Sequence, residues 1–259
     1  MSAEANACYR MVIAYDGTSY HGWQLQPQLE TVQGELTRAL EELTGERPRI
    51  RAAGRTDAGA HAHGQVIAFG LSSDWDPSAL QGGCQARLPE DIGVLETTRV
   101  GSDFHPRRMA WRRTYRYVIR DGVSADPVGQ RYEWWVPDRV EEAPMRSAAR
   151  LLLGTHDFAT FGTSPVGSGS TTRTVDRADV ERVGGLLRLE IRADAFLRGM
   201  MRSFAGALVA VGRGRASVAD LARALAEPGR RTPAWEVAPA RGLHQWRVEY
   251  RASATPVQP

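Results

Sequence analysis

The sequence predicts an α+β fold made of two halves, residues 9–104 and 105–250, that share a common sheet, followed by a tail over 251–259. Three observations lead there. β-prone runs and amphipathic helical stripes occur in both halves, a Gly-Gly pair separates two alternating runs as in a hairpin, and no internal repeat is strong enough to prove duplication.

Taken in order, residues 10–15 form a short β-prone run closed by the turn pair Asp16-Gly17. The aromatic and amide-rich segment 20–24 reads as a loop packed on the core through Trp23. From Thr31, an N-cap, Val32, Leu36, Leu40 and Leu43 recur at helical spacing up to a Gly45 stop. Residues 65–69 predict a strand, 77–87 a helix and 93–100 a strand. If 111–120 is a strand, Trp111, Arg113, Tyr115, Tyr117 and Ile119 share one face, and Arg112, Arg116 and Arg120 the other. Residues 145–153 are helical in pattern, and 162–172 form a Gly, Ser and Thr-rich loop. The runs 174–183 and 186–193 predict a hairpin about Gly184-Gly185. Over 196–211 a helix carries the stripe Met200, Phe204, Leu208 and Val211, with Arg198 and Arg202 at i, i+4 on its flank. A helix over 218–226, a closing strand over 243–250 and a disordered tail from Ala252 complete the reading.

Composition narrows the chemistry. With 259 residues the chain can bury a substantial core, and 42% hydrophobic with 24% charged residues is ordinary for a soluble protein. No run has the length of a membrane span, and the N-terminal residues are too polar for a secretion signal, which predicts a cytoplasmic protein. Two unpaired cysteines agree with a reducing compartment. All 33 basic residues are arginine, which excludes Schiff-base or lysine-nucleophile catalysis. Arginine stays protonated and matches phosphate oxygens bidentately, so its clusters suit RNA.

Polar chemistry is concentrated over residues 51–69, RAAGRTDAGAHAHGQVIAF. Gly54, Gly59 and Gly64 can supply positive φ or close backbone approach, and the strand that follows can hold Asp57 in a fixed direction, with Arg55 two residues before it. An Asx-turn or N-cap is the commoner use of such an Asp. His61 and His63 raise a metal site, but no Glu accompanies them and Cys8 and Cys84 stand far apart, so no metal is expected. Over 104–120, basic residues alternate with aromatics, as a single-stranded or flipped nucleotide requires. A strand with an aromatic core face and a solvated Arg face fits equally.

Several separated stretches resemble one family in the same order: YDGTSYHGWQ from Tyr15, GRTDAGAHA from Gly54, LPEDI from Leu88, FH at Phe104, RTYRY from Arg113, LLLGTHDFATF from Leu151, FLRGMMRSFAGALVAVGRG from Phe196 and APARGL from Ala238. The family is that of the bacterial tRNA pseudouridine(38-40) synthases, TruA, and the resemblance runs from Tyr15 to Tyr250. GRTDAG is its specific element. Departures are Met109 for a common Ser, Gly199 and Ser203 for a usual His and Asn, and His244 for a usual Tyr.

The resemblance implies a central, mostly antiparallel sheet with helices packed on it, a basic cleft, a homodimer, and neither metal nor organic cofactor. It implies a tRNA anticodon stem-loop as substrate, Asp57 as nucleophile, Tyr115 against the target base, and Arg55 and Arg202 near the carboxylate. Arg107, Arg108, Arg112, Arg113 and Arg116 are then the candidates for phosphate contact. Two other functions fit parts of the pattern: a non-catalytic tRNA-binding protein or RNA chaperone, and a nucleoside or glycosidic hydrolase, which would normally need a second carboxylate.

Overall fold

The computed structural model describes residues 7–164, 169–229 and 235–251. In chain order its elements are β1 (Ala7–Tyr15), α1 (Val32–Thr44), β2 (Arg51–Ala52), β3 (His61–Leu71), α2 (Pro77–Gln85), β4 (Ile92–Val100), β5 (Ala110–Asp121), β6 (Trp134–Val136), α3 (Glu142–Arg150), β7 (Gly154–Asp157), β8 (Thr172–Val183), β9 (Leu186–Ala193), α4 (Met200–Gly212), α5 (Val218–Ala226) and β10 (Leu243–Tyr250). This is an α+β fold with a large, mixed, mostly antiparallel sheet. The chain divides into two compact units, one of residues up to Trp111 together with those from Gln245 onward, the other Arg112–His244. The closing strand, counted with the second half from the sequence, therefore groups mainly with the first unit. Apart from Arg251, the tail lies outside the described residues.

In the first unit the strand order is β4-β1-β3-β10, with β2 paired to β3. Alternation along β1 buries Tyr9, Met11, Ile13 and Tyr15 against Ile67 and Phe69 of β3 and Val32, Leu36 and Leu40 of α1. Thr31 caps α1 by accepting from Gly34 N–H at 3.2 Å, and Gly45 ends it at φ +73°. The opposite sheet face carries a small cluster of Ala53, Val66 and Val248, with Val12, Ala110 and Tyr250 against it. Segment 101–109 continues there: Tyr250 donates to the Pro106 carbonyl at 2.8 Å, and Met109 Sδ accepts from His105 N–H at 3.2 Å. Met109 is thus absorbed as local packing.

In the second unit the order is β5-β9-β8-β7, with β6 parallel to β5. The hairpin joining β8 and β9 turns at Gly184 (φ +58°) and Gly185 (φ +85°), the two-residue geometry that non-glycine residues resist. Tyr117, Ile119, Leu187, Leu189 and Ile191 are fully buried on one face. α4 is more buried than an amphipathic stripe implies, with Arg202 alone of its residues not buried. It begins at Met200 rather than 196, since Gly199 takes the left-handed conformation (φ +77°) at its N-cap; Arg198 therefore lies before the helix, where its backbone bridges to Thr163. Of the 162–172 loop, residues 165–168 lie outside the described residues. His244 Nε2 lies 2.8 Å from the Tyr132 carbonyl oxygen, a partly buried hydrogen bond at the start of β10.

Asp121 closes β5 with a fully buried carboxylate, bonded to Arg182 Nη1 at 2.6 Å and to Val140 N–H at 2.9 Å. Burial alone would raise its pKa, but the Arg182 and Val140 hydrogen bonds and the Arg182 and Arg139 charges together hold it below the usual carboxylate range. The stabilisation is therefore present above the unfolded value, about 3.9 for Asp, and is lost as pH falls through the lower folded value. Arg182→Met is expected to destabilise the protein by roughly 1.5–3 kcal/mol at neutral pH, because it removes the charged hydrogen bonds of a buried carboxylate that keeps only Arg139 and Val140 N–H. Urea unfolding of both chains should show this difference shrinking on acidification; a pH-independent difference would contradict the account.

Candidate active site

The chain passes from β2 to β3 through residues 53–60, and this turn carries Asp57. Its entry is fastened to β3, because Ala53 N–H donates to the Val66 carbonyl at 2.8 Å and Gln65 Nε2 donates to the Gly54 carbonyl at 2.7 Å. Gln65 is completely buried, and its Oε1 accepts from Gln245 Nε2 of β10 at 3.2 Å. Within the turn Ala60 N–H donates to the Asp57 carbonyl at 3.1 Å, and Gly59 has φ +77°. Gly64 sits inside β3, which begins at His61, earlier than the sequence suggested; a Cβ there would come 2.9 Å from the Trp246 carbonyl oxygen, so close approach explains this glycine.

A second segment, residues 15–23, presses on the same turn. Tyr15 and Thr56 share a buried hydroxyl–hydroxyl hydrogen bond of 2.8 Å, Trp23 N–H donates to the Thr56 carbonyl at 3.1 Å, and Gly59 N–H to the Tyr20 carbonyl at 3.3 Å. Backbones meet so closely that a Cβ on Gly17 would lie 1.9 Å from the Ala60 carbonyl oxygen. On Gly22 (φ +89°) it would lie 2.9 Å from that of Thr56. Tyr20 is anchored in turn by its hydroxyl, which donates to Asp91 Oδ1 at 2.5 Å; burial and the neighbouring Asp91 carboxylate push that phenol's pKa up.

The turn presents Arg55 exposed, Thr56 buried and Asp57 half-buried. The two histidines separate. His61 is buried, and its Nδ1 is 3.0 Å from Gly17 N–H and 3.1 Å from Asp16 Oδ1. Nδ1 accepts from Gly17 N–H when it carries no hydrogen and donates to Asp16 when it carries one, so the two contacts are alternatives at one atom. His63 is exposed and lies against Trp246, ring centroids 4.5 Å apart. Among the described residues no group of three or more His, Cys, Asp or Glu side chains is placed to hold a metal ion.

Arg107 and Arg108 are exposed on the first unit. The nearby His105 imidazole is held below its usual pKa by burial and by the positive charges of Arg108, Arg51 and Arg107. A cationic neighbourhood therefore includes Arg51, a residue the sequence did not single out.

In the second unit Tyr115 is nearly buried, its ring edge-on to Phe196 at 4.7 Å. Arg202 projects from α4, with Nε donating to the Ala238 carbonyl at 2.7 Å. The arginines of β5 have protein partners. Arg112 is ion-paired to Asp176 and Arg116 to Glu190 at 2.6 Å, while Arg113 is buried and donates to the Asp194 carbonyl at 2.5 Å. These pairs favour the reading of 111–120 as a strand with a core face and a charged face. The residues that sequence reasoning missed are the supports of Asp57, namely Tyr15, Tyr20, Thr56 and Gln65. The signal for Tyr15, Tyr20 and Thr56 lay in the YDGTSYHGWQ and GRTDAG stretches, which carried the resemblance without an assigned contact, whereas Gln65 falls outside both.

Known proteins match over the same regions. The family model described as tRNA pseudouridine synthase matches residues 11–107 and 148–251, which include Arg55, Asp57, Arg107 and Arg202, while Tyr115 falls between the two ranges. The tRNA pseudouridine synthase A of Sinorhizobium medicae is 41% identical over 245 residues, covering 93% of this chain and 99% of the relative. That of Agrobacterium fabrum is also 41% identical over 245 residues, covering 93% and 92%. The more distant Pseudothermotoga lettingae enzyme is 37% identical over 243 residues, covering 93% and 99%. With a match of this extent running through both the Asp57 turn and α4, the chain belongs to the tRNA pseudouridine synthase family.

Proposed function

We propose that this chain isomerises uridine to pseudouridine in the anticodon stem-loop of tRNA, with Asp57 as the group that acts on the glycosidic bond. The observation that carries the reading is a half-buried carboxylate in the GRTDAG turn of a chain belonging to this family, fastened on one side by β3 and on the other by residues 15–23. Such fastening is what a reaction at one sugar carbon needs, because misplacing the reacting group by about 1 Å costs roughly a hundredfold in rate.

The chemistry is balanced within the substrate. The bond between N1 and C1′ breaks, the uracil turns while held, C5 bonds to C1′, and the proton lost from C5 is matched by one gained at N1. Asp57 enters either by forming an adduct at the sugar or by removing a sugar proton to assist elimination. Extruding a paired uridine costs on the order of a few kcal/mol, and exposed Arg55 is suited to take the vacated space. Tyr115 and Arg202 of the second unit keep the roles the resemblance implies, an aromatic ring for the uracil and a cation for the substrate. The relatives' full-length similarity supports tRNA as substrate, and we extend the proposal to a cytoplasmic homodimer, which sedimentation of the purified protein should show as twice the chain mass.

Asp57→Asn is expected to abolish pseudouridine formation while tRNA binding persists. Carbodiimide-type mapping of tRNA from cells lacking the protein, with the wild-type or variant chain restored, checks the first, and a gel-shift titration the second. Persistence of the modification in cells carrying only the Asp57→Asn chain would sink the proposal, whereas release of free uracil would point to a hydrolase.

The exposed arginines should contribute to binding through phosphate. Arg107→Ala and Arg108→Ala are each expected to reduce the slope of log K against log salt by about 0.7–0.9. Arg112→Ala and Arg116→Ala, which break ion pairs, should instead act mainly on stability. Titrations at several salt concentrations distinguish the two groups, and equal slopes for all four variants would remove the distinction.

A further inference from the structure

The residue preceding the proposed nucleophile is held from another strand by one buried hydrogen bond. Tyr15, the last residue of β1, is 4% exposed, and its phenolic oxygen is 2.8 Å from Oγ1 of Thr56, itself buried. The Thr56 carbonyl accepts from Trp23 N–H at 3.1 Å, so side chain and carbonyl of residue 56 are both fixed by the segment 15–23. Being β-branched, threonine has few χ1 states, and a hydrogen bond on its hydroxyl selects one of them. Beyond Asp57, the turn is closed by Ala60 N–H on the Asp57 carbonyl at 3.1 Å and tied again to that segment by Gly59 N–H on the Tyr20 carbonyl at 3.3 Å.

We propose that Tyr15 and Thr56 are a positioning pair that sets the direction of the Asp57 carboxylate. This rests on the reading of Asp57 as the reacting group. Neither residue reacts; the pair acts through Asp57. The backbone around residue 57 is already crowded, since Gly17 and Gly22 approach it without room for a Cβ. What the backbone contacts leave open is the side-chain rotamer of residue 56, and the hydroxyl–hydroxyl bond selects it. Loss of either hydroxyl leaves the fold's apolar contacts in place, including the Tyr15 ring against Trp23 at 6.3 Å, and the backbone bonds of the turn, but frees the Thr56 side chain next to Asp57.

The test is a single-turnover assay of tritium release from tRNA labelled at uridine C5, alongside tRNA affinity and thermal unfolding. Tyr15→Phe and Thr56→Val are each expected to slow the chemical step about tenfold or more without changing Kd. Thr56→Ser, which keeps the hydroxyl, should restore the wild-type rate. The double variant should be no slower than the slower single variant, because both changes remove the same bond. Should Tyr15→Phe not fold, the Thr56→Val and Thr56→Ser comparison decides the matter alone. The proposal is overturned by wild-type rates in a folded single variant, by losses that multiply in the double, or by losses explained entirely by weaker binding. An inactive Asp57→Asn chain beside an unimpaired Tyr15→Phe removes only the positioning pair. An active Asp57→Asn chain removes the reading beneath it.

Discussion

Contact between two stretches of backbone, residues 15–23 and 53–60, is the constraint around which the first unit's chemistry is arranged. Side chains alone do not produce it. Gly17 and Gly22 bring main chain against main chain at distances that exclude a Cβ, and the hydrogen bonds of Trp23, Thr56, Tyr20 and Gly59 then become possible. Buried amide and hydroxyl groups cost free energy when left unpaired, so once the approach is made the turn has one arrangement that satisfies them. The buried Gln65 and Gln245 extend the same logic from the turn into the sheet, with Gln65 reaching back to Gly54.

The second unit handles its charges differently. On the face of β5, β9 and β8 away from the apolar core, arginines and carboxylates alternate. Arg116 lies directly opposite Glu190 in register, Glu190 also meets Arg177 at 3.0 Å, and Asp176 serves both Arg112 and Arg192. Each such cross-strand pair contributes roughly 0.2–1 kcal/mol. An all-arginine set of basic residues is therefore put to two uses. Some guanidiniums are fixed partners within the sheet, while Arg107 and Arg108 are exposed beside a histidine whose pKa is lowered by burial first and by their charges second. For a protein acting on a polyanion, solvent-facing cations are the ones that phosphate can reach.

An isomerisation asks little of composition and much of placement. The same atoms appear in substrate and product, so on the proposed reading of Asp57 the protein holds one carboxylate in a fixed direction and retains the loosened base. Rigid support serves the first requirement, and the Asp57 turn receives it from β1, β3 and β10 through Tyr15, Gln65 and Gln245.

Much of the architecture was legible in the sequence, because period and punctuation are local. The Thr31 cap, the Gly45 stop, the Gly184-Gly185 hairpin and the limits of α5 and β10 all follow from residues near in sequence. The family was legible too, through the specificity of GRTDAG and the stretches that accompany it. Tertiary structure alone decided what depends on distant pairing: that His61 is buried against Gly17 while His63 faces outward, that α4 starts after a left-handed Gly199, and that Arg112 and Arg116 of β5 meet carboxylates on β8 and β9. An alternating strand pattern says which residues share a face but not what that face meets. Strand register and the close approach of glycines are properties of the folded chain, and they determine which charges pair across the sheet and which carboxylate is held still.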